Sequence, residues 1–164
     1  RADELFAALK AYEGKYAFAA DGFSPASVAA YNAAVAGFLT QPEAREPWRR
    51  NYVFVLGSTS HHGRHDDILT DLSLLDGRDV LVVRKQPADR AAYERWFRAV
   101  ELRELTVRGA TFHLVLGQGF RYAQYRDSVL AEVRDRYYRL PAFLPQGGCA
   151  FCERHFDPPA CPVR

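Results

Sequence analysis

The chain has 164 residues, enough for one domain with its own hydrophobic core. Apolar residues make up 48% of it and charged residues 26%, which excludes the disordered and fibrous classes. A formal net charge of only +2 argues against a dedicated nucleic-acid binder.

Of the 22 basic residues, all are Arg except Lys10, Lys15 and Lys85, a bias that fits a high-GC genome or bidentate anion contacts. The sequence holds no Met and begins Arg1-Ala2-Asp3, so we expect it to be a piece of a longer protein. It contains no apolar run near the ~20 residues needed to span a bilayer and no segment with the pattern of a signal peptide. The piece itself is therefore expected to be soluble. Its cysteines, Cys149, Cys152 and Cys161, lie together in the last sixteen residues. An odd number cannot all pair within one chain, which leaves one disulfide plus a thiol, or a metal site.

In chain order, Asp3–Glu13 predicts a short helix with Leu5, Phe6, Leu9 and Tyr12 on one face. Lys15–Ala20 predicts a brief strand closed by the turn Asp21-Gly22. Ser24-Pro25 is a helix start, with Val28, Tyr31, Val35 and Phe38 following at helical spacing. Residues 41–50 are polar and read as a loop. Tyr52–Gly57 is an apolar, β-branched and aromatic run, the pattern of a buried strand. A short helix is expected over Ile68–Leu75, ended by Asp76-Gly77, and a second buried strand over Asp79–Arg84.

Pro87–Val100 predicts a helix with Tyr93, Trp96, Phe97 and Val100 facing inward. Glu101–Val107 and Ala110–Leu116, separated by Arg108-Gly109, predict an antiparallel hairpin. Arg121–Tyr138 is the longest expected helix, with Tyr122, Tyr125, Val129, Leu130, Val133 and Tyr137 along one stripe. Residues 139–164 are Pro-rich and aperiodic and read as an irregular tail. The whole predicts a single α/β domain over 1–164, a Rossmann-like three-layer sandwich whose mixed, mostly parallel sheet ends in an antiparallel hairpin.

The densest polar constellation is the loop Ser58–Asp67, which follows a buried strand at its carboxyl end, where open α/β sheets place ligands. His61, His62, Arg64, His65, Asp66 and Asp67 supply metal-type ligands and an anion-binding guanidinium. The competing reading is a solvated loop in which Asp66 or Asp67 caps the helix near Ile68. In the tail, Cys149, Cys152, His155 and Cys161 can complete a tetrahedral zinc site, or Cys161 can form a disulfide with either earlier Cys. Gly117-Gln118-Gly119 lacks the third Gly and the distant acidic residue of a dinucleotide fingerprint, so we read it as a tight strand-to-helix turn. His113 reads as a strand-face residue. The sequence holds no Gly-x-Ser-x-Gly elbow, no His-Glu-x-x-His and no phosphate loop.

Gly57-Ser58, His62–Asp67, Thr70-Asp71 and Leu75–Arg78, with Leu105–Phe112, Tyr125-Arg126-Asp127 and Cys152–Phe156, form a recognisable set. Together they resemble the C-terminal extramembrane region of bacterial polytopic glycosyltransferases of the protein-mannosyltransferase and aminoarabinose-transferase-like superfamily. The resemblance runs from about Ala17 to Phe156. It implies a multi-pass parent that uses a lipid-phosphate-linked sugar donor, with this domain on the extracytoplasmic face of the membrane. The catalytic carboxylate of that superfamily lies in the membrane portion, so no catalytic residue is carried over. The domain would then help recognise acceptor or head group, or stabilise its own transmembrane portion, and an extracytoplasmic position would favour the disulfide. The rival readings are a metal- or anion-binding module built on the 58–67 loop or the Cys tail, and an autonomous α/β enzyme.

Overall fold

A computed structural model describes residues 2–21, 28–33, 53–56, 71–137, 152, 155 and 156. At its centre are three short strands, β1 (Ala17–Ala20), β2 (Phe54–Val55) and β3 (Val80–Arg84), buried almost throughout. Two long strands, β4 (Phe97–Val107) and β5 (Ala110–Phe120), complete a five-stranded sheet in the order β2-β1-β3-β5-β4. β1 pairs in parallel with both β2 and β3, while β5 is antiparallel to β3 and β4 is antiparallel to β5. The class is α/β with a mixed sheet, as expected. Among the described residues the antiparallel part carries more of the pairing than a mostly parallel sheet would.

Alternation along the strands sends side chains to two faces. Ala17, Ala19, Phe54, Val80, Val82 and Val115 belong to one core cluster, and Phe18, Leu81, Leu114 and Leu116 to another. Helix α1 (Ala2–Ala8) covers the second face through Leu5, and a 3-10 turn at Lys10–Tyr12 follows it. A helical stretch at residues 28–33 lies on the same face, where Ala33 is buried and Ala29 packs alongside. The first face is covered by α2 (Arg90–Trp96), by a 3-10 turn at Leu72–Leu75 and by a long C-terminal helix. Coverage of both faces explains why the parallel strands are apolar runs and not alternating ones.

The hairpin follows from its turn. Arg108 and Gly109 have φ of 46° and 76°, the pair of positive values that a two-residue type I′ turn requires. Both strands extend beyond the ranges expected, because β4 begins at Phe97, directly after α2. The predicted helix over Pro87–Val100 is thus corrected to Arg90–Trp96, with Asp89 accepting from the Ala91 N–H at 3.1 Å as its N-cap. Phe97 through Val100 are extended because they pair with Phe120 through Gly117. Trp96 and Phe97 bury into one core in either conformation, so helical spacing of apolar residues did not mark the boundary.

Gly117 and Gly119 are likewise inside β5 and not in a strand-to-helix turn. A Cβ at position 117 would stand 2.4 Å from the Phe97 ring, so glycine is what lets that ring lie on the strand. Gly119 has φ of 61° and donates its N–H to Asp79 Oδ1 at 3.0 Å.

The C-terminal helix, α3, consists of Tyr122–Tyr125, a π turn at Arg126–Leu130, and Ala131–Tyr137. Asp76 Oδ1 accepts from the Tyr122 N–H at 3.1 Å, tying its start to the turn before β3. Ser128 Oγ donates to the Gln124 carbonyl at 2.6 Å within the π turn, where such hydroxyl bonding commonly accompanies a wider turn. The extra residue rotates the stripe, so Leu130 is fully buried while Val129 is only partly so. Within the expected Ile68–Leu75 helix, the described part is the Leu72–Leu75 turn, capped by Asp71 accepting from the Ser73 N–H at 3.1 Å.

Candidate functional site

β1, β2 and β3 run in parallel and so end on one edge of the sheet, the carboxyl edge. The register sets Ala20 beside Val83 and Arg84 opposite His113, which in turn faces Glu104. Asp21, one residue past β1, therefore comes next to Arg84. Asp21, Arg84, His113 and Glu104 each stand two residues beyond Ala19, Val82, Val115 and Leu102 on the same face of the sheet. Four strands contribute one polar residue each to a single transverse row.

Arg84 organises this row. Its Nη2 meets Asp21 Oδ2 at 3.2 Å, its Nη1 donates to Tyr93 Oη at 2.9 Å, and its Nε donates to the Gln86 carbonyl at 3.3 Å. The guanidinium also lies over the Tyr93 ring, 5.7 Å from the centroid. Tyr93 reaches Arg84 because side chains on a helix lean toward its N-terminus, and α2 starts near this edge. His113 Nδ1 lies 3.5 Å from Glu104 Oε1, with the Glu104 side chain largely exposed. Burial pushes the Tyr93 hydroxyl above its ordinary pKa of 10.0, the Arg84 guanidinium pulls against that, and Asp21 adds to the rise.

The Asp21 carboxylate is lopsided. Its side chain is 20% exposed and Oδ2 is held by Arg84, yet Oδ1 is buried with no hydrogen-bond donor among the described residues. A buried carboxylate oxygen without a donor is unfavourable by one to a few kcal/mol, roughly the desolvation of that acceptor. Chemically the edge offers a fixed, charge-balanced ion pair, one acceptor seeking a donor, and a protonated phenol beside it.

A second polar contact lies on α3. Tyr122 Oη and His155 Nδ1 are 2.7 Å apart, and His155 is only 3% exposed. Cys152 is fully buried in the main core, one helical turn before His155, and the Phe156 N–H donates to the Cys152 carbonyl at 2.9 Å. Arg134 covers the Phe156 ring at 4.5 Å. The described part of the tail is therefore anchored in the core, whereas its sequence reads as an irregular cover.

The residues singled out by sequence fall unevenly on this picture. His61, His62, Arg64, His65, Asp66 and Asp67 lie outside the described residues, as do Cys149 and Cys161. Cys152 and His155 are brought together, but no group of three or more metal-type ligands occurs among the described residues. β2 reaches the carboxyl edge, where the Leu56 N–H donates to the Ala20 carbonyl at 3.0 Å, next to Asp21. Sequence reasoning missed Asp21, Arg84 and Tyr93 as a site. A charged residue at the carboxyl end of each of two buried strands, Asp21 just past β1 and Arg84 closing β3, was the available signal, and Asp21 was read only as part of a turn.

No helix among the described residues is long and apolar enough to cross a membrane. No family model matches the chain, no curated protein matches its sequence, and no solved structure matches its fold.

Proposed function

We propose that this chain is a non-catalytic recognition domain of a membrane glycosyltransferase that uses a lipid-phosphate-linked sugar donor. In this reading it stands on the extracytoplasmic face, beside the transmembrane portion of its own parent chain, and binds acceptor or donor head group. The observation that carries the reading is the carboxyl edge. Three parallel strands end there, and the polar row Asp21, Arg84, His113 and Glu104 crosses it. The order β2-β1-β3, with the helical stretch at 28–33 and the Leu72–Leu75 turn on opposite faces, supports a Rossmann-like arrangement whose strand order reverses at β1 and β3. The family resemblance supplies the sugar chemistry. The edge holds the Asp21–Arg84 ion pair and the buried Tyr93 phenol, groups that can bind through hydrogen bonds.

Two measurements test this. Purified chain incubated with a polyprenyl-phosphate sugar and candidate acceptors is expected to transfer nothing, and turnover by the chain alone overturns the proposal. The reading frame upstream of Arg1 is expected to encode about ten apolar spans of ~20 residues each. A start codon immediately before Arg1 points instead to an autonomous α/β enzyme.

A second reading, a zinc centre in the tail, draws on Cys152 and His155 lying one turn apart in the core. Elemental analysis of untagged protein prepared without chelators decides it: one zinc per chain supports the centre, and none leaves the disulfide.

A further inference from the structure

We infer that Asp21 and Tyr93, held in place by Arg84, form a subsite for a neutral ring bearing adjacent hydroxyls, as a sugar does. Arg84 is largely engaged: three of its five N–H groups, one each on Nη2, Nη1 and Nε, face Asp21, Tyr93 Oη and the Gln86 carbonyl. Asp21 Oδ2 is held by that guanidinium, while Oδ1 is buried and has no donor among the described residues. Tyr93 Oη accepts from Arg84, which leaves its own O–H to donate. The edge therefore presents one acceptor and one donor around a neutralised ion pair.

That combination selects among ligands. A phosphate would have to sit against the Asp21 carboxylate, whose negative charge repels it and already balances the guanidinium, so anions are disfavoured. A cation would compete with Arg84 for a carboxylate already paired. A hydroxyl group both donates and accepts, so it can give its proton to Asp21 Oδ1 while a neighbouring hydroxyl accepts from Tyr93. The ligand thus brings the donor that the buried oxygen lacks. A site built to hydrogen-bond hydroxyls also discriminates strongly against analogues without them, because its own groups are then left unpaired. The place is right as well: β1 connects to β2 on one side and β3 lies on the other, so the chain divides between Asp21 and Arg84. Crevices at such divisions are where open α/β sheets hold ligands.

This subsite deepens the recognition-domain reading, on which the choice of a sugar rests, but the hydrogen-bond argument concerns the sheet edge alone. The test is a titration of the isotope-labelled 164-residue chain followed by NMR, with four probes: methyl α-mannopyranoside, methyl β-glucopyranoside, adenosine and inorganic phosphate. Saturable shifts at the amides of Asp21, Lys85 and Tyr93, with midpoints on the order of 1–10 mM, are expected for a glycoside or the nucleoside, and which one responds identifies the source of the ring. Phosphate is expected to leave these amides unmoved.

Asp21→Asn should weaken binding by about tenfold or more, and Tyr93→Phe, which keeps the ring, by about three- to tenfold. If Asp21→Asn does not fold, Tyr93→Phe alone carries the comparison. No saturable shift with any ring, a response to phosphate at these amides, or unchanged affinity in folded variants overturns the subsite. The two proposals fail separately. Sugar transfer by the isolated chain removes the recognition-only role and leaves the subsite standing, whereas a silent sheet edge removes the subsite whatever the parent enzyme does.

Discussion

The two halves of the sheet are built on opposite plans. The β4–β5 hairpin has eleven residues in each strand, and its pairing is closed by two residues of turn. The β2-β1-β3 half has strands of two, four and five residues, joined across long stretches of sequence and covered on both faces. In the hairpin, order comes from local pairing and from apolar contacts such as Phe97 on Phe120, whose rings lie 5.2 Å apart. In the parallel half, order depends on helices arriving from elsewhere, and polar groups collect where the strands stop.

The sharpest test of the hairpin's rigidity is Gly117→Ala. The added methyl would meet the Phe97 ring at 2.4 Å, and Phe97 is itself wedged between Tyr93 and Phe120. A loss of about 2–3 kcal/mol is expected, read as a fall of several degrees in Tm. A neutral result would mean that the hairpin gives way as easily as the parallel half.

Tyr122→Phe removes the hydroxyl facing the buried His155 and should lower stability by about 1–2 kcal/mol. Limited proteolysis of this variant should show earlier cleavage in the C-terminal tail, whereas unchanged cleavage would mean that Tyr122 does not anchor it.

On the parallel side, Tyr93→Phe tests the electrostatics of the edge. Burial raises the Tyr93 pKa above 10.0, so the folded chain keeps a proton that the unfolded chain releases. The stability linked to this group is present below pH 10 and is lost as pH rises beyond it. Wild-type protein should therefore lose stability more steeply than Tyr93→Phe as pH rises above about 10, as urea midpoints at each pH would show.

The smallest effect belongs to the exposed pair Arg126–Asp127. The Arg126 hydrogen bond holds the Asp127 carboxyl below its usual pKa. Its contribution is present above about pH 4 and fades as pH falls through the depressed value. Asp127→Asn should differ from wild type by no more than a few tenths of a kcal/mol at pH 7, and by less at pH 3.

Much of this architecture is legible in the residues. Arg108-Gly109 between two strand-like runs marks the hairpin, and the apolar runs at Ala17–Ala20, Phe54–Val55 and Val80–Arg84 mark the parallel strands. What resists reading is whatever depends on partners distant in sequence. Phe97–Val100 keeps helical spacing but is extended, because β5 offers it a partner. Gly117 and Gly119 resemble a turn because the ring of Phe97 and the carboxylate of Asp79 that explain them come from other strands. The Asp21–Arg84–Tyr93 cluster spans seventy-two positions of sequence and exists only once β1, β3 and α2 are in register. The polar residues at 58–67 draw attention by composition, whereas the Asp21–Arg84–Tyr93 cluster shows no pattern in one dimension.

The two-residue turn at Arg108-Gly109 also bears on time. Hairpins of this kind form in about 1–10 μs, whereas stable pairing of strands tens of residues apart must first overcome a larger loop-closure entropy. β1 must await β2 from one direction and β3 from the other, so the edge carrying Asp21 and Arg84 is expected to assemble late in folding and to open first in the native protein. Amides of β5 should then outlast those of β1 in hydrogen exchange. A molecule seated on the late-forming edge would slow its opening in proportion to occupancy, so the early loss of order there doubles as a gauge of binding.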